Sequence, residues 1–333
     1  MKAVLTKEVG GPETLVLEDV PSPRAGPGQV VISVKACGVN FPDVLMIEDK
    51  YQFKPTRPYS PGGELAGVVK ELGEGVTGLQ VGDRVLASNG HGGMAQEAVV
   101  PAVKVTKIPD ALPFDEAAAF ILTYGTSYYA LKNRARLKAG ETLLVLGAAG
   151  GVGLAAVALG KMMGARVIAA ASSQDKVDFV KSQGADDGLV YPRGPFDRDG
   201  QKALAELFKG AAGPNGVDVI YDAVGGDYAE PAFRAIAWEG RYLVVGFAAG
   251  DIPKMPLNLS LLKGADILGV FWGAWSAREP EAFRQSVREL LDLYVAGKVK
   301  PYISERFPLD RAAEAIRHLG SRKALGKVVV TMD

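Results

Sequence analysis

Residues 142–159 read Thr-Leu-Leu-Val-Leu-Gly-Ala-Ala-Gly-Gly-Val-Gly-Leu-Ala-Ala-Val-Ala-Leu. The first five are apolar or β-branched, which is typical of a strand buried on both faces. Glycines then cluster at positions 147, 150, 151 and 153, and a run rich in alanine, leucine and valine that suits a helix follows. A strand, a glycine-rich turn and a helix are the setting in which the spacing Ala148-x-Gly150-x-x-Gly153 indicates dinucleotide binding.

This turn has the features that a dinucleotide needs. Gly150 would let the backbone contact the pyrophosphate, and Gly153 would let the helix pack close to the strand. N–H groups at the start of the helix would hold the anion. We therefore expect the cofactor to contact Ala148, Gly150, Gly151, Val152 and Gly153.

Two other interpretations of this stretch are open. Residues 142–160 carry no charge and could by length cross a membrane, but their five glycines and the charged segment 136–141 before them argue against a span. A glycine-rich turn can also be purely structural. The segments that follow favour dinucleotide binding, because they continue a regular alternation of strands and helices.

The composition restricts the class of protein. The 333 residues are enough for two domains, and 38 basic side chains balance 38 acidic ones, so we expect no nucleic-acid or membrane partner. The single cysteine, Cys37, excludes an intrachain disulfide and a multi-cysteine zinc site. The first residues enter a strand pattern without the apolar segment of a signal peptide. We expect a cytoplasmic enzyme.

Residues 1–110 have the pattern of an all-β domain. Glycine and proline clusters separate short strand-like runs, and one helix is predicted at Phe41–Ile47. The predicted strands are Ala3–Thr6, Leu15–Asp19, Val30–Cys37, Glu64–Glu71, Asp83–Leu86 and Ala95–Val100. An N-capped helix is predicted at Asp115–Leu122.

Strands and helices alternate from there onward. The predicted strands are Leu143–Leu146, Arg166–Ala171, Leu189–Tyr191, Val217–Tyr221, Arg241–Val245 and Ile267–Phe271, with helices near 152–163, 175–183, 201–208 and 228–237. Six strands joined by helical crossovers make a doubly wound parallel sheet. Helices at 279–296 and 310–319 and strands at Tyr302–Phe307 and Lys327–Thr331 follow. We expect the last strand to return to the N-terminal β domain, so that the cofactor domain is an insertion.

Short motifs follow one another along nearly the whole chain. They are Gly38-Val39-Asn40-Phe41-Pro42-Asp43, Pro61-Gly62-Gly63-Glu64-Leu65-Ala66-Gly67, Val81-Gly82-Asp83-Arg84-Val85, Gly125-Thr126-Ser127-Tyr128, Gly147–Gly153, Tyr221-Asp222-Ala223-Val224-Gly225-Gly226 and Gly326-Lys327-Val328-Val329. In this order they resemble the medium-chain dehydrogenase/reductase superfamily, and within it the zinc-free, zeta-crystallin-like quinone oxidoreductase branch.

The resemblance implies an α/β protein with a GroES-like, β-rich catalytic domain and a six-stranded Rossmann domain for NADPH. The catalytic domain would comprise 1–118 and 263–333, and the cofactor domain 119–262. Relatives form dimers, and the apolar strand Ile267–Phe271 has an edge that could pair with its two-fold mate. We therefore expect a homodimer through this last strand of the Rossmann sheet.

Metal ligands distinguish the branches of this superfamily. Zinc-dependent members place Cys, His and Cys where this chain has Asn40, Gly63 and Leu122, and their four-cysteine lobe would fall near 89–96, where this sequence has no cysteine. A tetrahedral zinc site needs three or four thiolate, imidazole or carboxylate ligands. His91 and His318 are the only histidines. We expect no metal.

The end of the second parallel strand indicates which nicotinamide nucleotide binds. An acidic residue there would favour NAD by binding the ribose hydroxyl, but Ala171 occupies that position. Ser172 and Ser173 offer hydroxyl groups, and Lys176 offers a positive charge one turn into the next helix. These residues favour NADPH.

The resemblance adds Tyr191, whose counterpart packs at the adenosine phosphate. Alternatively, Ser172 caps the helix and Lys176 is a solvated surface residue. Asp175 is discordant with a phosphate site, although at the start of a helix it can point away.

The resemblance also implies the residues around the reacting groups. Expected contacts of the nicotinamide are Thr126, Gly246, Phe247, Phe271, Trp272 and Gly273. The acceptor pocket would be lined by Asn40, Asp43 and Tyr51. Tyr51 aligns with a tyrosine that serves related enoyl-thioester reductases as a proton donor or oxyanion partner, but it could equally be a packing aromatic. Asn40 could equally stabilise a turn, and Asp43 could cap or pair locally.

These residues predict an NADPH-dependent, zinc-independent reductase of quinones or other conjugated carbonyls, with a small-molecule substrate. Without zinc to polarise it, the acceptor must spread the incoming charge by conjugation. Two alternatives stay open. One is an enoyl-thioester reductase acting on enoyl-CoA or enoyl-acyl carrier protein. The other is an NADPH-binding, crystallin-like or RNA-binding protein with little turnover.

Overall fold

A computed structural model describes residues 1–332 of the chain. Its strands are β1 (Lys2–Leu5), β2 (Val16–Asp19), β3 (Gln29–Val39), β4 (Glu64–Leu72), β5 (Arg84–Ser88), β6 (Glu97–Pro101), β7 (Val105–Lys107), β8 (Thr142–Leu146), β9 (Arg166–Ala171), β10 (Asp187–Val190), β11 (Val217–Asp222), β12 (Ile236–Val244), β13 (Asp266–Gly269), β14 (Ile303–Pro308) and β15 (Lys327–Thr331).

The chain also forms α-helices, most of them in its second half. They are α1 (Phe41–Ile47), α2 (Phe114–Ala118), α3 (Ile121–Tyr128), α4 (Gly151–Met162), α5 (Gln174–Ser182), α6 (Arg198–Ala212), α7 (Ala229–Phe233), α8 (Leu257–Lys263), α9 (Trp272–Arg278), α10 (Pro280–Val295) and α11 (Ala312–Gly320). A π-helical turn, Tyr129–Arg134, continues α3. Shorter 3₁₀ turns lie at Pro12–Thr14, Ala102–Lys104, Gly226–Tyr228 and Leu309–Arg311.

The elements form two compact units, of which the first combines Met1–Leu122 with the chain from Leu291 onward. Its main sheet has the order β14-β15-β3-β4-β5-β7, with β6 also paired to β3, and β1 and β2 form a separate ribbon. Strand β15 pairs antiparallel with β3. The prediction that the last strand returns to the N-terminal β domain is therefore confirmed. The apolar faces of β3, β4 and β15 form its core together with α11.

The second unit, Thr123–Leu290, contains the six-stranded parallel sheet in the order β10-β9-β8-β11-β12-β13. This is the doubly wound order, in which successive strands are added first on one side of the first strand, β8, and then on the other. It confirms the predicted fold class. Strand β8 is central and its apolar side chains are fully buried. The segment 142–160 is thus a strand, a turn and a short helix. Among the residues described, no helix is both long and apolar enough to cross a bilayer.

Two predicted helices differ from the structure. The helix expected at 228–237 ends at Phe233, and Ile236 already pairs with Val217 in the sheet. Phe233 and Ile236 are buried in the same core. Their spacing of three residues resembles that of a helix, although one residue ends α7 and the other begins β12. The helix expected at 115–122 is also divided, because α2 ends at Ala118 and α3 begins at Ile121.

The unit boundaries lie later in the chain than the predicted domain boundaries, which fall after residues 118 and 262. In the structure they follow Leu122 and Leu290. The larger difference has a simple physical reason. Strand β13 pairs in parallel with β12, so the chain around 266–269 belongs with the six-stranded sheet.

Candidate functional site

The fingerprint turn, residues 147–153, connects β8 to α4. Gly147 has a φ of +70°, a conformation that favours glycine, and its carbonyl accepts a hydrogen bond from the Gly150 N–H at 3.0 Å. The Ala148 N–H donates to the Ala170 carbonyl of β9 at 3.1 Å, which anchors the turn to the sheet. Gly150 is the N-cap of α4 and contributes no side chain. The first N–H groups of α4 can therefore bind an anion.

The glycines of the turn fit a dinucleotide. A Cβ atom at Gly153 would lie 2.2 Å from the Gly147 carbonyl oxygen, so only glycine allows α4 to approach the turn this closely. A Cβ atom at Gly150 would meet only the same oxygen, at 3.5 Å. The backbone at Gly150 therefore faces open space, which a side chain would fill and a pyrophosphate can approach.

The loop after β11 lies beside this turn. The Asp222 carboxylate accepts hydrogen bonds from the backbone N–H groups of Val224 and Gly225 at 2.7 and 2.9 Å, and another from the Tyr242 hydroxyl. A Cβ atom at Gly147 would lie 2.9 Å from the Val224 side chain. Sequence reasoning did not identify the role of Asp222, although a carboxylate before a glycine pair at a strand end is a recognisable turn signal.

The loop after β12 is held against the loop after β11. The Ala248 N–H donates to the Ala223 carbonyl at 3.1 Å. A Cβ atom at Gly225 would lie 2.8 Å from the Phe247 ring. The structure thus brings Gly246 and Phe247, two of the predicted nicotinamide contacts, to the same edge of the sheet as the fingerprint turn.

Thr126 lies in α3, which is fixed on the first turn of α4. The Ser127 hydroxyl, next to Thr126, donates to the Val152 carbonyl at 2.9 Å and is 2.9 Å from the hydroxyl of Tyr221. Ser127 and Tyr221 are both fully buried. Their contact keeps the predicted nicotinamide residue Thr126 beside the fingerprint turn.

The remaining predicted nicotinamide contacts lie where α9 begins. Strand β13 ends at Gly269, earlier than predicted, and Phe271 is the exposed N-cap residue of α9. Trp272 is buried and its ring lies 5.6 Å from that of Phe283. A Cβ atom at Gly125 would lie 2.9 Å from Trp272, so α3 and α9 are in close contact. Gly273 follows within the first turn of α9.

The end of β9 has the features expected of a phosphate-binding corner. Ala171 is buried, and Ser172 and Ser173 follow it partly exposed. The N-cap of α5 is Ser173 rather than Ser172, and its side chain makes no capping hydrogen bond. Asp175 points to solvent, whereas Lys176 is half-buried.

A second cation lies near Lys176. Burial, and after it the positive charge of Arg193, lower the pKa of Lys176. Tyr191 is buried, and its ring lies 4.8 Å from that of Tyr228. The Tyr228 hydroxyl donates to the Pro192 carbonyl at 3.2 Å, so these tyrosines support the loop that carries Arg193. Arg193 lies in a proline-containing loop without periodic pattern, and sequence reasoning did not identify it.

In the first unit, Asp43 in the first turn of α1 binds two backbone N–H groups. Its carboxylate accepts from the Asn40 N–H at 2.8 Å and from the Gly62 N–H at 3.1 Å. Asp43 is almost fully buried. This burial outweighs the hydrogen bonds and raises the pKa of Asp43 to about 6. Asp43 therefore does cap locally, and burial also makes its carboxyl a weaker acid than usual.

The side chain of Asn40 joins a buried ion pair. Its amide nitrogen donates to Glu64 Oε2 at 3.0 Å and to the Gly38 carbonyl at 3.2 Å, and its oxygen accepts from Lys327 Nζ at 2.6 Å. Lys327 Nζ lies 3.1 Å from Glu64 Oε2. Glu64 and Lys327 are 0% and 4% exposed. We call Asn40, Glu64 and Lys327 the amide network; sequence reasoning missed its two charged members.

Gly63 and Leu122, which the sequence analysis compared with zinc ligands, adjoin this network. Glu64 Oε1 accepts a hydrogen bond from the Leu122 N–H at 2.9 Å, its other oxygen binds Asn40, and Gly63 is its neighbour in the chain. Over residues 1–332, no cluster of three or more His, Cys, Asp or Glu side chains is arranged to hold a metal ion. That the protein contains no metal stays a prediction.

Two tyrosines of the first unit are electrostatically coupled to Asp43. Burial and then the Asp43 charge raise the pKa of Tyr51, so its hydroxyl stays protonated at neutral pH. Tyr59 is 5% exposed, and its buried hydroxyl has no hydrogen-bond partner in the described part of the chain. The His91 ring lies between Tyr59 and Phe53, with ring centroids 5.7 and 6.2 Å away. Tyr59 is a polar group that the sequence analysis did not single out.

Comparison with known proteins agrees with this geometry. Residues 26–110 match the alcohol dehydrogenase GroES-like domain, and residues 151–292 match the zinc-binding dehydrogenase family. The quinone oxidoreductase-like protein 2 homolog of Nematostella vectensis is 42% identical, over 99% of this chain and 88% of its own length.

Two solved structures are similar over almost their full lengths. A mycobacterial protein complexed with NADPH is 31% identical, with a TM-score of 0.91 and 99% of each chain covered. Escherichia coli quinone oxidoreductase complexed with NADPH is 27% identical, with a TM-score of 0.90, and the match covers 99% of this chain and all of that one. The predicted resemblance is thereby confirmed, and the chain belongs to the quinone oxidoreductase branch of the medium-chain dehydrogenase/reductase superfamily.

Proposed function

We propose that the protein is an NADPH-dependent reductase of quinones or other conjugated carbonyls. The observation that carries the proposal is the fingerprint turn, where the open backbone at Gly150 lies at the start of α4. Relatives named as quinone oxidoreductases support the same conclusion. So do two similar structures that were solved in complex with NADPH. When bound, NADPH supplies the hydride.

The preference for NADPH over NADH would come from the corner after β9. Ala171 leaves no carboxylate to bind an adenosine ribose hydroxyl or to repel a phosphate on it. Lys176 and Arg193 bring two positive charges to this corner, and the Ser172 and Ser173 hydroxyls lie just before α5. Together these groups would bind the extra phosphate of NADPH by charge-assisted hydrogen bonds.

The residues at the zinc positions determine the class of acceptor. Asn40, Gly63 and Leu122 cannot supply a tetrahedral set of thiolate, imidazole or carboxylate ligands. An isolated carbonyl therefore lacks the polarisation that a Lewis acid would provide. A quinone or an α,β-unsaturated carbonyl spreads the incoming negative charge by conjugation and does not need this polarisation.

Tyr51 and Asp43 would act on the acceptor side. Burial, and after it the Asp43 charge, raise the pKa of Tyr51. Its hydroxyl is therefore protonated and can donate a hydrogen bond or a proton to the oxygen on which charge develops. Asp43 is bound to two backbone N–H groups, so its own role is to fix the start of α1 and the charge beside Tyr51.

A panel of acceptors tests the proposal. NADPH oxidation is followed by absorbance with a para-quinone, a conjugated enone, an enoyl thioester and a simple ketone, and NADP⁺ reduction with a secondary alcohol. We expect turnover of the quinone or the enone and negligible reaction of the ketone and the alcohol. Exclusive turnover of the thioester would replace the proposed substrate class, and brisk alcohol oxidation would contradict the proposal.

We also propose that the protein is a homodimer through the edge of β13. Exposed apolar side chains surround this edge: Trp238, Leu257, Leu261, Leu262, Ile267 and Phe271. A Cβ atom at Gly264, at the end of α8, would lie 3.6 Å from the Trp238 ring, so α8 and β12 contribute to one surface. An unpaired strand edge within an apolar surface supports pairing with a second copy.

A further inference from the structure

The helix α3 is followed by a π-helical turn, Tyr129–Arg134, instead of continuing as an α-helix. The Ala135 N–H donates to the Ala130 carbonyl, five residues earlier, at 2.8 Å, whereas an α-helix bonds residues that are four apart. Such turns are rare and occur frequently at functional sites. The turn therefore indicates that this helix places particular side chains.

Two side chains of the π-helical turn contact residues 269–275, which we call the α9 segment because they lead from β13 into α9. The Tyr129 ring stacks on the Trp275 ring, with centroids 4.4 Å apart and an angle of 18° between the planes. Arg134 Nε donates a hydrogen bond to the Gly269 carbonyl at 3.0 Å. The turn thus holds the α9 segment at both of its ends.

The π-helical geometry brings these two side chains into line with Gly125. Gly125 precedes Tyr129 by one α-helical turn and packs against Trp272, in the middle of the α9 segment. Arg134 follows Tyr129 by five residues, one π-helical turn. At about 100° per residue, a continuing α-helix would rotate Arg134 about 140° away from Tyr129 and bring the shorter Asn133 into line. The contact to Gly269 therefore depends on the π-helical turn.

The α9 segment has few other restraints, and part of its backbone is open. Trp272 is the one buried residue of α9. A Cβ atom at Gly273 would meet only the exposed Phe271 ring, at 3.9 Å, and one at Gly269 would meet no atom of residues 1–332 within 4 Å. The segment follows β13, which is parallel to its neighbour β12. It therefore lies at the carboxyl edge of the sheet, where doubly wound proteins bind their ligands.

We propose that Tyr129 and Arg134 are positioning residues that hold the α9 segment so that its open backbone is preset for the nicotinamide of NADPH. The proposal rests on the proposed function, which assigns nicotinamide contacts to Phe271, Trp272 and Gly273. Neither Tyr129 nor Arg134 needs to touch the cofactor, because each acts through the segment. Loss of either side chain would leave the binding of the adenosine and phosphate groups intact and would weaken the binding of the nicotinamide.

Two ligands separate the nicotinamide from the rest of the cofactor. NADPH and 2′-phospho-ADP-ribose share the adenosine, its phosphate and the pyrophosphate, but only NADPH carries the nicotinamide. Calorimetry gives the Kd of each. We expect Tyr129→Leu and Arg134→Met each to weaken NADPH binding by about three- to tenfold, the effect of one aromatic pair or one hydrogen bond. The Kd of 2′-phospho-ADP-ribose should change by less than about twofold.

A conservative variant and a matched control separate positioning from folding. Tyr129→Phe keeps the stacked ring and should bind NADPH as the unmodified protein does. Lys132 lies in the same π-helical turn but donates to the Tyr128 hydroxyl and to Glu289 of α10, at 3.2 and 2.6 Å. Lys132→Met therefore disturbs the turn without releasing the α9 segment, and it should leave both Kd values within about twofold.

Three results would overturn the proposal. The first is an NADPH affinity that Tyr129→Leu and Arg134→Met both leave unchanged. The second is an equal loss for NADPH and 2′-phospho-ADP-ribose, which would mean general damage to the nucleotide site. The third is the same selective loss in Lys132→Met. If Tyr129→Leu does not fold, the partly exposed Arg134 carries the test through Arg134→Met.

Failure of the proposed function is a different result. It appears in the unmodified protein as absent turnover of quinones and enones, whereas the Kd values of the two ligands are measured without an acceptor. A selective loss of NADPH affinity in the variants supports the proposal whichever acceptor is used.

Discussion

A Cβ atom at Gly153 would lie 2.2 Å from the carbonyl oxygen of Gly147. The carbonyl belongs to the backbone and a Cβ atom is fixed to the backbone, so no side-chain rotation could relieve this contact. The Gly147 carbonyl also accepts the hydrogen bond that closes the fingerprint turn. The distance therefore couples the identity of residue 153 to the shape of the nucleotide-binding backbone.

Gly153→Ala should weaken NADPH binding by at least about a hundredfold, because α4 must move away from the turn and its N–H groups lose their aim at the phosphates. Calorimetric titration of NADPH measures the change. Gly210→Ala is the control, since a Cβ atom there meets nothing within 4 Å. It should leave binding intact and stabilise α6 by roughly 0.5–1 kcal/mol. Unimpaired binding by Gly153→Ala would contradict the role of the turn.

Burial raises the pKa of Asp43 from 3.8 to about 6. A folded-state pKa above the unfolded value means that the folded protein holds this proton more tightly. The corresponding stability is fully present below pH 3.8 and is lost as the pH rises through about 6. A shift of about two units corresponds to roughly 3 kcal/mol.

Urea unfolding between about pH 4 and pH 7 measures this effect. The free energy of unfolding of Asp43→Asn, relative to the unmodified protein, should rise across this range because the variant has no proton to lose. Asp49→Asn is the control: the hydrogen bond from Arg57 lowers the pKa of Asp49 below 3.8, so its contribution is present throughout this pH range and its difference should stay nearly flat. A flat difference for Asp43→Asn would show that Asp43 titrates normally.

Lys176→Ala should weaken NADPH binding by about ten- to a hundredfold, the value of one charge-assisted hydrogen bond of roughly 1.5–3 kcal/mol. Arg193→Ala should have a smaller effect in the same direction, because Arg193 is exposed. NADH affinity should barely change in either variant. Calorimetry with both nucleotides gives the comparison, with the exposed Lys181→Ala in the same helix as control. Equal losses for NADPH and NADH would mean that neither side chain reads the phosphate.

Sedimentation velocity tests the proposed dimer. Leu261→Lys, at an α8 residue that is 81% exposed, should shift the protein from dimer to monomer, because a buried unpaired ammonium opposes association. Val103 is similarly exposed, at 76%, but lies away from β13. Val103→Lys should therefore leave the dimer intact. A monomeric unmodified protein would remove the proposal, and an equal shift by both variants would mean that the apolar surface around β13 is not specific.

Much of the fold could be predicted from the sequence because local signals agreed with the tertiary structure. Strands β9 and β15 have the predicted bounds, since buried parallel or central strands are short continuous apolar runs. The fingerprint turn was also recognisable, because local backbone contacts determine the spacing of its glycines. The predicted helix at 228–237 was wrong beyond Phe233, because Phe233 and Ile236 have helical spacing but belong to two different elements.

The candidate site was only partly predictable, because some of its residues are far apart in the sequence. Glu64 and Lys327 are separated by 263 positions, and each stands at the start of an apolar strand where a lone charge has no local explanation. Only the pairing of β15 with β3 brings Lys327 to Asn40. Arg193 was missed in the same way, because nothing in its loop indicates that it lies near Lys176.

Reduction of an enone and reduction of a quinone place different demands on Tyr51. The saturated product of an enone needs a proton from a donor, whereas a hydroquinone can take its protons from water. If the Tyr51 hydroxyl, kept protonated by burial and by Asp43, is that donor, Tyr51→Phe should lower kcat for an enone by about ten- to a thousandfold and change kcat for a quinone by less than about threefold.

Steady-state kinetics with one quinone and one enone measure the split. Tyr59→Phe is the matched control, because it removes the other tyrosine hydroxyl that is coupled to Asp43. A large enone effect confined to Tyr51→Phe would assign the proton to Tyr51, and one confined to Tyr59→Phe would transfer the role to Tyr59. Unchanged rates for Tyr51→Phe on both acceptors would reduce Tyr51 to a packing aromatic, since removing a hydroxyl from an unreactive ring leaves the chemical step as it was.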